Sequence, residues 1–408
     1  MSVWALAFRN VRRNRRRSLL TAGIVVFGFA AFALAGGFVS QTFEGLKDGT
    51  IRGGVGHLQV ARPGTFAGAE ERTLEHGIAD VERTVAIVRR DPAVSAILPR
   101  IEFVGLVSNG NRSVPYLGLG FDPGDEARAM ETRSLISSGR WFSRADEMAV
   151  VLGAGLARAV GARAGDTVTV FGTTPEGVLN AVDMNVVGLA SLPIKELDDR
   201  YLATTLPAAS RLLSVTGVVS KLVVMLKPGA DADDAAGRLR RALSGAGEPL
   251  AIKTWRTLAV FYNQVKILYV GIFGFMGAVL VIVVLLACAN TMTMAAAERT
   301  REIGTLRAIG TPPEKIRAMF VAEGVFLAVG GCVIGAVLAL IVRAGLNASH
   351  IMLPPPPGAS HGTPIHVAFF PLTYLAGLVA MLATLAAASY FPARRASRIP
   401  IVEALAHV

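Results

Sequence analysis

Only two cysteines occur among the 408 residues, and both, Cys288 and Cys332, sit inside apolar runs. That excludes a disulfide framework and any zinc-type Cys/His spacing; a thiol in such a run acts as a small hydrophobe. Charge is scarce at 17% and aromatic residues at 7%, against 52% hydrophobic content and a mean hydropathy of +0.50. Those values point to a membrane protein. A net charge of +11 could serve nucleic acid. Here the basic residues cluster beside apolar runs with few aromatics among them, so membrane topology accounts for them and no nucleic acid is expected as a partner. No G-x-x-x-x-G-K-[ST] occurs, so the chain is expected to bind no nucleotide or other cofactor and to hydrolyse none. Gly358-Ala359-Ser360-His361-Gly362 matches G-x-S-x-G, but a polyproline run precedes it where a nucleophile elbow needs a strand. His350, His361 and His366 have no carboxylate nearby and read as loop histidines, with no metal expected. Asp231-x-Asp233-Asp234 lacks the spacing of a calcium loop and suits a helix cap.

What is present is long apolar runs. Residues 18–43 carry no charge and reach the roughly 20 residues needed to cross a bilayer. Further spans are expected at 267–290, 319–342 and 367–393. Ahead of the first, residues 1–17 place Val3, Trp4, Ala7, Phe8 and Val11 on one helical face, with Arg9, Arg12, Arg13 and Arg16 largely off it. An interfacial helix fits that pattern; a signal peptide's basic region is the alternative. Lys and Arg concentrate in 1–17, in 292–318 and in the tail 394–408, while the connection 344–366 carries none. By the positive-inside rule both termini and 292–318 are cytoplasmic.

Between the first two spans, residues 44–264 are too many for a loop and must fold outside the membrane. Strands are expected at 56–61, 101–107, 114–121, 167–171, 185–189 and 222–226, with turns at Gly165-Asp166 and Pro175-Glu176-Gly177. Ile78, Val81, Val85 and Val88 mark an amphipathic helix stopped before Asp91-Pro92, and Asp231 caps another. The expectation is a membrane protein with four transmembrane helices plus a large α+β extracytoplasmic domain inserted between the first and second. That domain would have two lobes, one built from 57–122 and 220–255 and the other inserted between them. The stretch 354–358, four prolines and a glycine, reads as a stiff spacer.

The segment 292–321 is the unusual one: a run of charges between two apolar spans. Ile303, Leu306 and Ile309 recur at roughly helical spacing, so it reads as a short amphipathic helix ended by Gly310. Thr311 would cap a second helix, with Pro312 at its first position and Glu314 completing a capping box. A solvated cytoplasmic loop is the plain alternative. In the third span, Gly331-x-x-x-Gly335 allows another helix to approach closely, either inside one subunit or across a dimer seam. Glu323 near the start of that span is expected at interface depth.

Three stretches, RNVRRNRRRSLLTAGIV, AAAERTREIGTLRAIGTPPEKIRAMFVAEG and PARRASRIPIVEAL, together resemble the MacB/FtsX-like family of ABC transporter permeases. VLGAGLARAVGARAGDTVTVFG is similar to that family's extracytoplasmic domain, and the resemblance covers nearly the whole chain. It implies an inner-membrane permease subunit without its own ATPase, paired with a second, same or similar, permease subunit. ATP would be bound by a partner, a cytoplasmic ABC ATPase dimer. Glu298, Arg299, Arg301, Glu302, Gly304, Leu306, Arg307 and Gly310 fall on the family's coupling helix, and work at the ATPase would pass by mechanotransmission to the outer domain. GHLQVARPG (56–64) looks most like the lipoprotein-releasing (LolC/LolE-like) branch, whose outer hairpin recruits a periplasmic carrier. Thr174, Pro175, Glu176 and Gly177 fall near that hook, although the basic residues expected around it are missing. The function implied is extraction of a lipoprotein or other amphiphile from the outer leaflet, with membrane lipids and a carrier or substrate protein as partners. FtsX-like control of a cell-wall hydrolase and MacB-like efflux of drugs or peptides are the alternatives.

Overall fold

Four helices carry the apolar runs, and each is long and apolar enough to cross a membrane. The computed structural model describes residues 7, 9–10, 13, 15–66, 77–130, 132–143, 145–192, 194–352 and 365–406. The G-x-S-x-G match, His361, the polyproline run and Val3, Trp4, Phe8, Val11 and Arg12 lie outside these residues. Two compact units result, one from residues 1–44, 264–352 and 364–408, the other from 45–263 and 353–363.

α1 (Arg15–Thr50) begins before its apolar run and continues past it, lying in the first unit up to residue 44 and in the second from residue 45. Helices α2 to α6 belong to the second unit. The remaining membrane-length helices are α7 (Val260–Glu298), α9 (Pro313–Ala348) and α10 (Pro371–Ala396). Between α7 and α9 lies the nine-residue α8 (Thr300–Ala308), and α11 (Ile401–Ala406) follows α10. Val25, Phe29, Val284, Cys288, Ala328 and Leu385 form the shared core. Small residues set the spacing. A Cβ on Gly331 would lie 2.7 Å from Val25 Cγ1, and one on Gly335 would lie 2.8 Å from the carbonyl oxygen of Val26. The Gly331/Gly335 pair is therefore spent on α1 of the same chain, and this face of α9 is not a seam between subunits.

Among the described residues the second unit holds ten strands, which lie in sequence between α1 and α7. They are β1 (Leu58–Ala61), β2 (Val94–Ser108), β3 (Ser113–Phe121), β4 (Ile136–Gly139), β5 (Ala149–Gly153), β6 (Thr167–Thr173), β7 (Leu179–Ala190), β8 (Tyr201–Thr205), β9 (Lys221–Leu226) and β10 (Ala251–Thr254). All six strand segments read from sequence overlap one of these. Gly56 is not in a strand: with φ +72° it turns the chain into β1, a backbone open to glycine at no steric cost.

Strand β2 organises the unit. Its first half pairs with β9, which passes pairing on to β1 and β10, all antiparallel. Its second half pairs with β3 on one side and β6 on the other. From there β3 pairs β8, β8 pairs β5, β5 pairs β7 and β7 pairs β6, so the strands close a ring. The ring's interior is filled by alternate residues such as Val107, Tyr116, Val150, Val168, Val170 and Met184, as the two-residue side-chain period of a strand requires. The two lobes read from sequence are thus two parts of one hydrogen-bonded sheet sharing β2.

Helix caps follow local chemistry. Asp80 caps α2 (Val81–Val88) by accepting from Arg83 N, and Ile78 lies outside that helix, bridged to Val219. α3 (Pro123–Ala129) follows β3, α4 (Ala154–Val160) follows β5 and α5 (Leu206–Leu213) follows β8. Asp231 caps α6 (Ala232–Gly245), accepting from the N–H groups of Asp233 and Asp234 at 2.8 and 3.1 Å.

Between α1 and β1 the backbone makes one wide turn, Ile51–Val55, with Gly54 at φ +140°. The buried guanidinium of Arg100 donates to the carbonyl of Gly54 and pairs with the buried carboxylate of Glu126 on α3.

Candidate functional site

α7 ends where Arg299 leaves helical geometry (φ −103°, ψ +14°), and α8 starts at the next residue. The hydroxyl of Thr300 steadies the corner by donating to the carbonyl of Ala297 at 2.8 Å. Ile303 turns inward to join Ile316, Met319, Phe320, Ala393 and Ala396 in a small core, so α8 lies on the ends of α9 and α10. Arg307 donates to the carbonyl of Ile399, just ahead of α11.

The other end of α8 is closed by Gly310. Its φ of +91° is left-handed, its N–H donates to the carbonyl of Arg307, and the N–H of Thr311 reaches back to Leu306 at 3.0 Å. This is the Schellman arrangement, in which glycine meets the positive φ without strain. The cap proposed for the next helix is different from the sequence reading. α9 begins at Pro313 with Pro312 in the capping position and no side-chain cap hydrogen bond; Glu314 instead approaches Arg317 at 3.5 Å. The chain enters α9 through fixed proline geometry, which leaves the Thr311 hydroxyl no capping role.

Of the eight residues assigned to the coupling helix, Arg299 and Gly304 are buried, Leu306 and Arg307 are half-buried, and Glu298, Arg301, Glu302 and Gly310 are exposed. Arg299 Nη1 lies 2.9 and 3.3 Å from the two carboxylate oxygens of Glu323, which is itself only 4% exposed. Asn10 Nδ2 donates to the same carboxylate at 2.7 Å. Glu323 is therefore buried within the protein, where it joins the N-terminal segment, the Arg299 corner and α9. Arg13 on the N-terminal segment meets Glu302 at 2.6 and 2.8 Å in the open.

Ile309 departs from the apolar face read for it. Ile303 is buried, but Ile309 is 75% exposed because α8 ends one residue earlier and the chain turns at Gly310. With Arg301 and Thr305 it forms the outward surface of the turn. This apolar tip was missed because helical periodicity was extended one residue too far.

Thr174, Pro175, Glu176 and Gly177 form the reversal between β6 and β7. The N–H of Thr174 donates to Val178 at 2.8 Å, the N–H of Gly177 returns to Thr174 at 2.9 Å, and Gly177 takes φ +83°. Thr174 is buried, Glu176 is exposed, and the next two residues, Val178 and Leu179, present apolar side chains that are 60% and 68% exposed. This hairpin and α8 lie in different units. Among the described residues no group of three or more His, Cys, Asp or Glu is placed to hold a metal.

Two family models match: the MacB-like periplasmic core domain over residues 18–242 and the FtsX-like permease C-terminal over residues 274–401. The chain belongs to the MacB/FtsX-like family of ABC transporter permeases. It is 24% identical to the lipoprotein-releasing system transmembrane protein LolE of Haemophilus influenzae, across 97% of each chain. An uncharacterized ABC transporter permease of Methanocaldococcus jannaschii is 26% identical over 66% of this chain and 65% of its own length. The macrolide export ATP-binding/permease protein MacB of Chlorobium phaeobacteroides is 26% identical over 85% of this chain, which spans 53% of that longer relative. The periplasmic region of MacB from Actinobacillus actinomycetemcomitans aligns with 49% of this chain at 14% identity and a TM-score of 0.36, covering 89% of that structure.

Proposed function

We propose that this permease is the membrane half of an ATP-driven machine in which α8 receives a push from a cytoplasmic ATPase dimer and passes it to the periplasmic α+β head. The observation that carries the reading is the corner at Arg299. A short helix is joined to two membrane-length helices and fastened to one of them by a buried ion pair, while Arg301, Thr305 and Ile309 face outward. A helix free on both sides would absorb a displacement; one rooted at Glu323 moves with α9. The chain supplies no phosphate-binding loop, so nucleotide chemistry falls to the partner. A second permease subunit, the same or similar, completes the pair.

The cargo we assign is a lipoprotein or comparable amphiphile taken from the outer leaflet of the inner membrane. Support comes from the likeness to LolE over nearly the full length of both chains. The apolar Val178–Leu179 step beside the Thr174–Gly177 reversal suits contact with a carrier or the cargo itself. The match to the FtsX-like model keeps one other use of the same lever in play, a signalling subunit that switches a periplasmic hydrolase without moving anything.

Co-purification with the ATPase tests the lever. Arg301→Glu combined with Ile309→Glu should abolish association while leaving the melting temperature of the permease within a degree or two. Unchanged ATPase association would refute the docking role of this surface. Pull-down through the head then separates the cargo readings, since a lipoprotein or carrier and a hydrolase are different catches.

A further inference from the structure

Beside the turn that joins α1 to β1 lies a cleft of about 700 Å³ lined by Lys47, Arg52, His57, Arg89 and Arg128. Asp48 and Asp125 are the acids in its wall, and Asp125 is engaged by Arg128. Four cations against two carboxylates leave the cleft positive, and low-dielectric walls concentrate such a field. His57 adds a donor. Its Nδ1 accepts the Leu226 N–H at 3.3 Å, so the neutral ring carries its proton on Nε2. The imidazolium is disfavoured chiefly by burial and then by the charges of Lys47 and Arg52, both of which line the cleft.

We propose that this cleft binds a phosphate-bearing anion, with Lys47, Arg52 and Arg89 supplying charge and His57 a neutral hydrogen bond. Guanidinium groups match the paired oxygens of a phosphate, and several cations around one opening suit a polyoxygen anion better than a single carboxylate. The volume exceeds that of bare phosphate and leaves room for an attached glycerol-sized group. Position along the chain names one source. Lys47 follows the apolar run 18–43 by four residues of continuous helix, about 6 Å, within the headgroup layer of about 5–8 Å on each side of the hydrocarbon. A phospholipid headgroup is therefore within reach, and free phosphate is the other source. The inference rests on the membrane reading of α1 and not on the docking of α8.

The full chain in detergent would be titrated with dioctanoyl phosphatidylglycerol and, separately, with sodium phosphate, following saturation by calorimetry and bound lipid by native mass spectrometry. One phosphatidylglycerol per chain is expected, weakened tenfold or more by Arg89→Glu and further by Arg52→Glu, and retained by Arg89→Lys. Arg240→Glu, the same charge change on an exposed site of α6 away from the cleft, should leave binding intact. Saturable binding of phosphate alone, with the same dependence on Arg89, would make the ligand soluble and still support a phosphate site. If neither probe saturates, or if Arg240→Glu weakens binding as much as Arg89→Glu, the site does not exist. Unchanged melting of Arg89→Glu, which lies on the exposed end of α2, keeps loss of binding distinct from loss of fold.

Discussion

Arg299 sits in a run of charges that reads as solvated, yet it is one of the few arginines in the chain that water barely reaches. Its contact is with Glu323, 24 residues further on, and nothing in a local pattern announces a partner at that distance. Removing one member leaves the other buried and unpaired, which costs about 3–5 kcal/mol. Arg299→Ala and Glu323→Ala should each lower the thermal midpoint in detergent by several degrees, whereas Arg13→Ala, which breaks an exposed pair, should cost under about 1 kcal/mol. A second effect at this scale is electrostatic. The guanidinium of Arg140 beside Asp146, and that of Arg238 beside Asp91, hold these carboxyls below the usual carboxylate range. A depressed acid contributes stability that is fully present above its unfolded pKa of about 3.9 and is lost as pH falls through the lower folded value. Asp146→Asn should therefore be less stable than the unaltered chain above about pH 4, and an acid titration followed by tryptophan fluorescence should show that difference shrinking as pH falls below about 4.

At the level of the element, the ends of helices were easier to read than their neighbours. Asp231, through its side chain, and Gly310, through its backbone, were legible because each acts within a few residues along the chain. Six strands were legible for a similar reason, since β-branched runs between turn residues need no distant information, whereas β4, β5, β8 and β10 were not read. Register was not: that the two halves of β2 serve different partners depends on contacts as remote as Leu98 with Val223. The glycine pair in α9 was recognisable as a packing motif, but its partner, α1, had to be seen. Gly310 supplies the test at this scale. A β-branched residue cannot take φ +91° cheaply, so Gly310→Val should unsettle the end of α8 by more than about 1 kcal/mol. Hydrogen exchange at Ile309, Gly310 and Thr311 should rise while the strands of the second unit remain protected.

For the whole molecule, the positive-inside reading puts the α8 turn on the cytoplasmic side. A Thr305→Cys variant, its side chain exposed and the two native cysteines buried, should react with a membrane-impermeant maleimide only in inverted vesicles. Labelling from the periplasm would overturn the orientation of every span.

The ring of strands has a consequence for how anything outside could take hold of the head. Among the described strands, only β4 and β10 end the pairing path, and each is four residues long. Short borders of that kind offer too few unpaired main-chain groups for another protein to lengthen the sheet. At those two borders a partner of this unit would have to be recognised by side chains on reversals and helices, and surface substitutions there would leave the closed ring untouched.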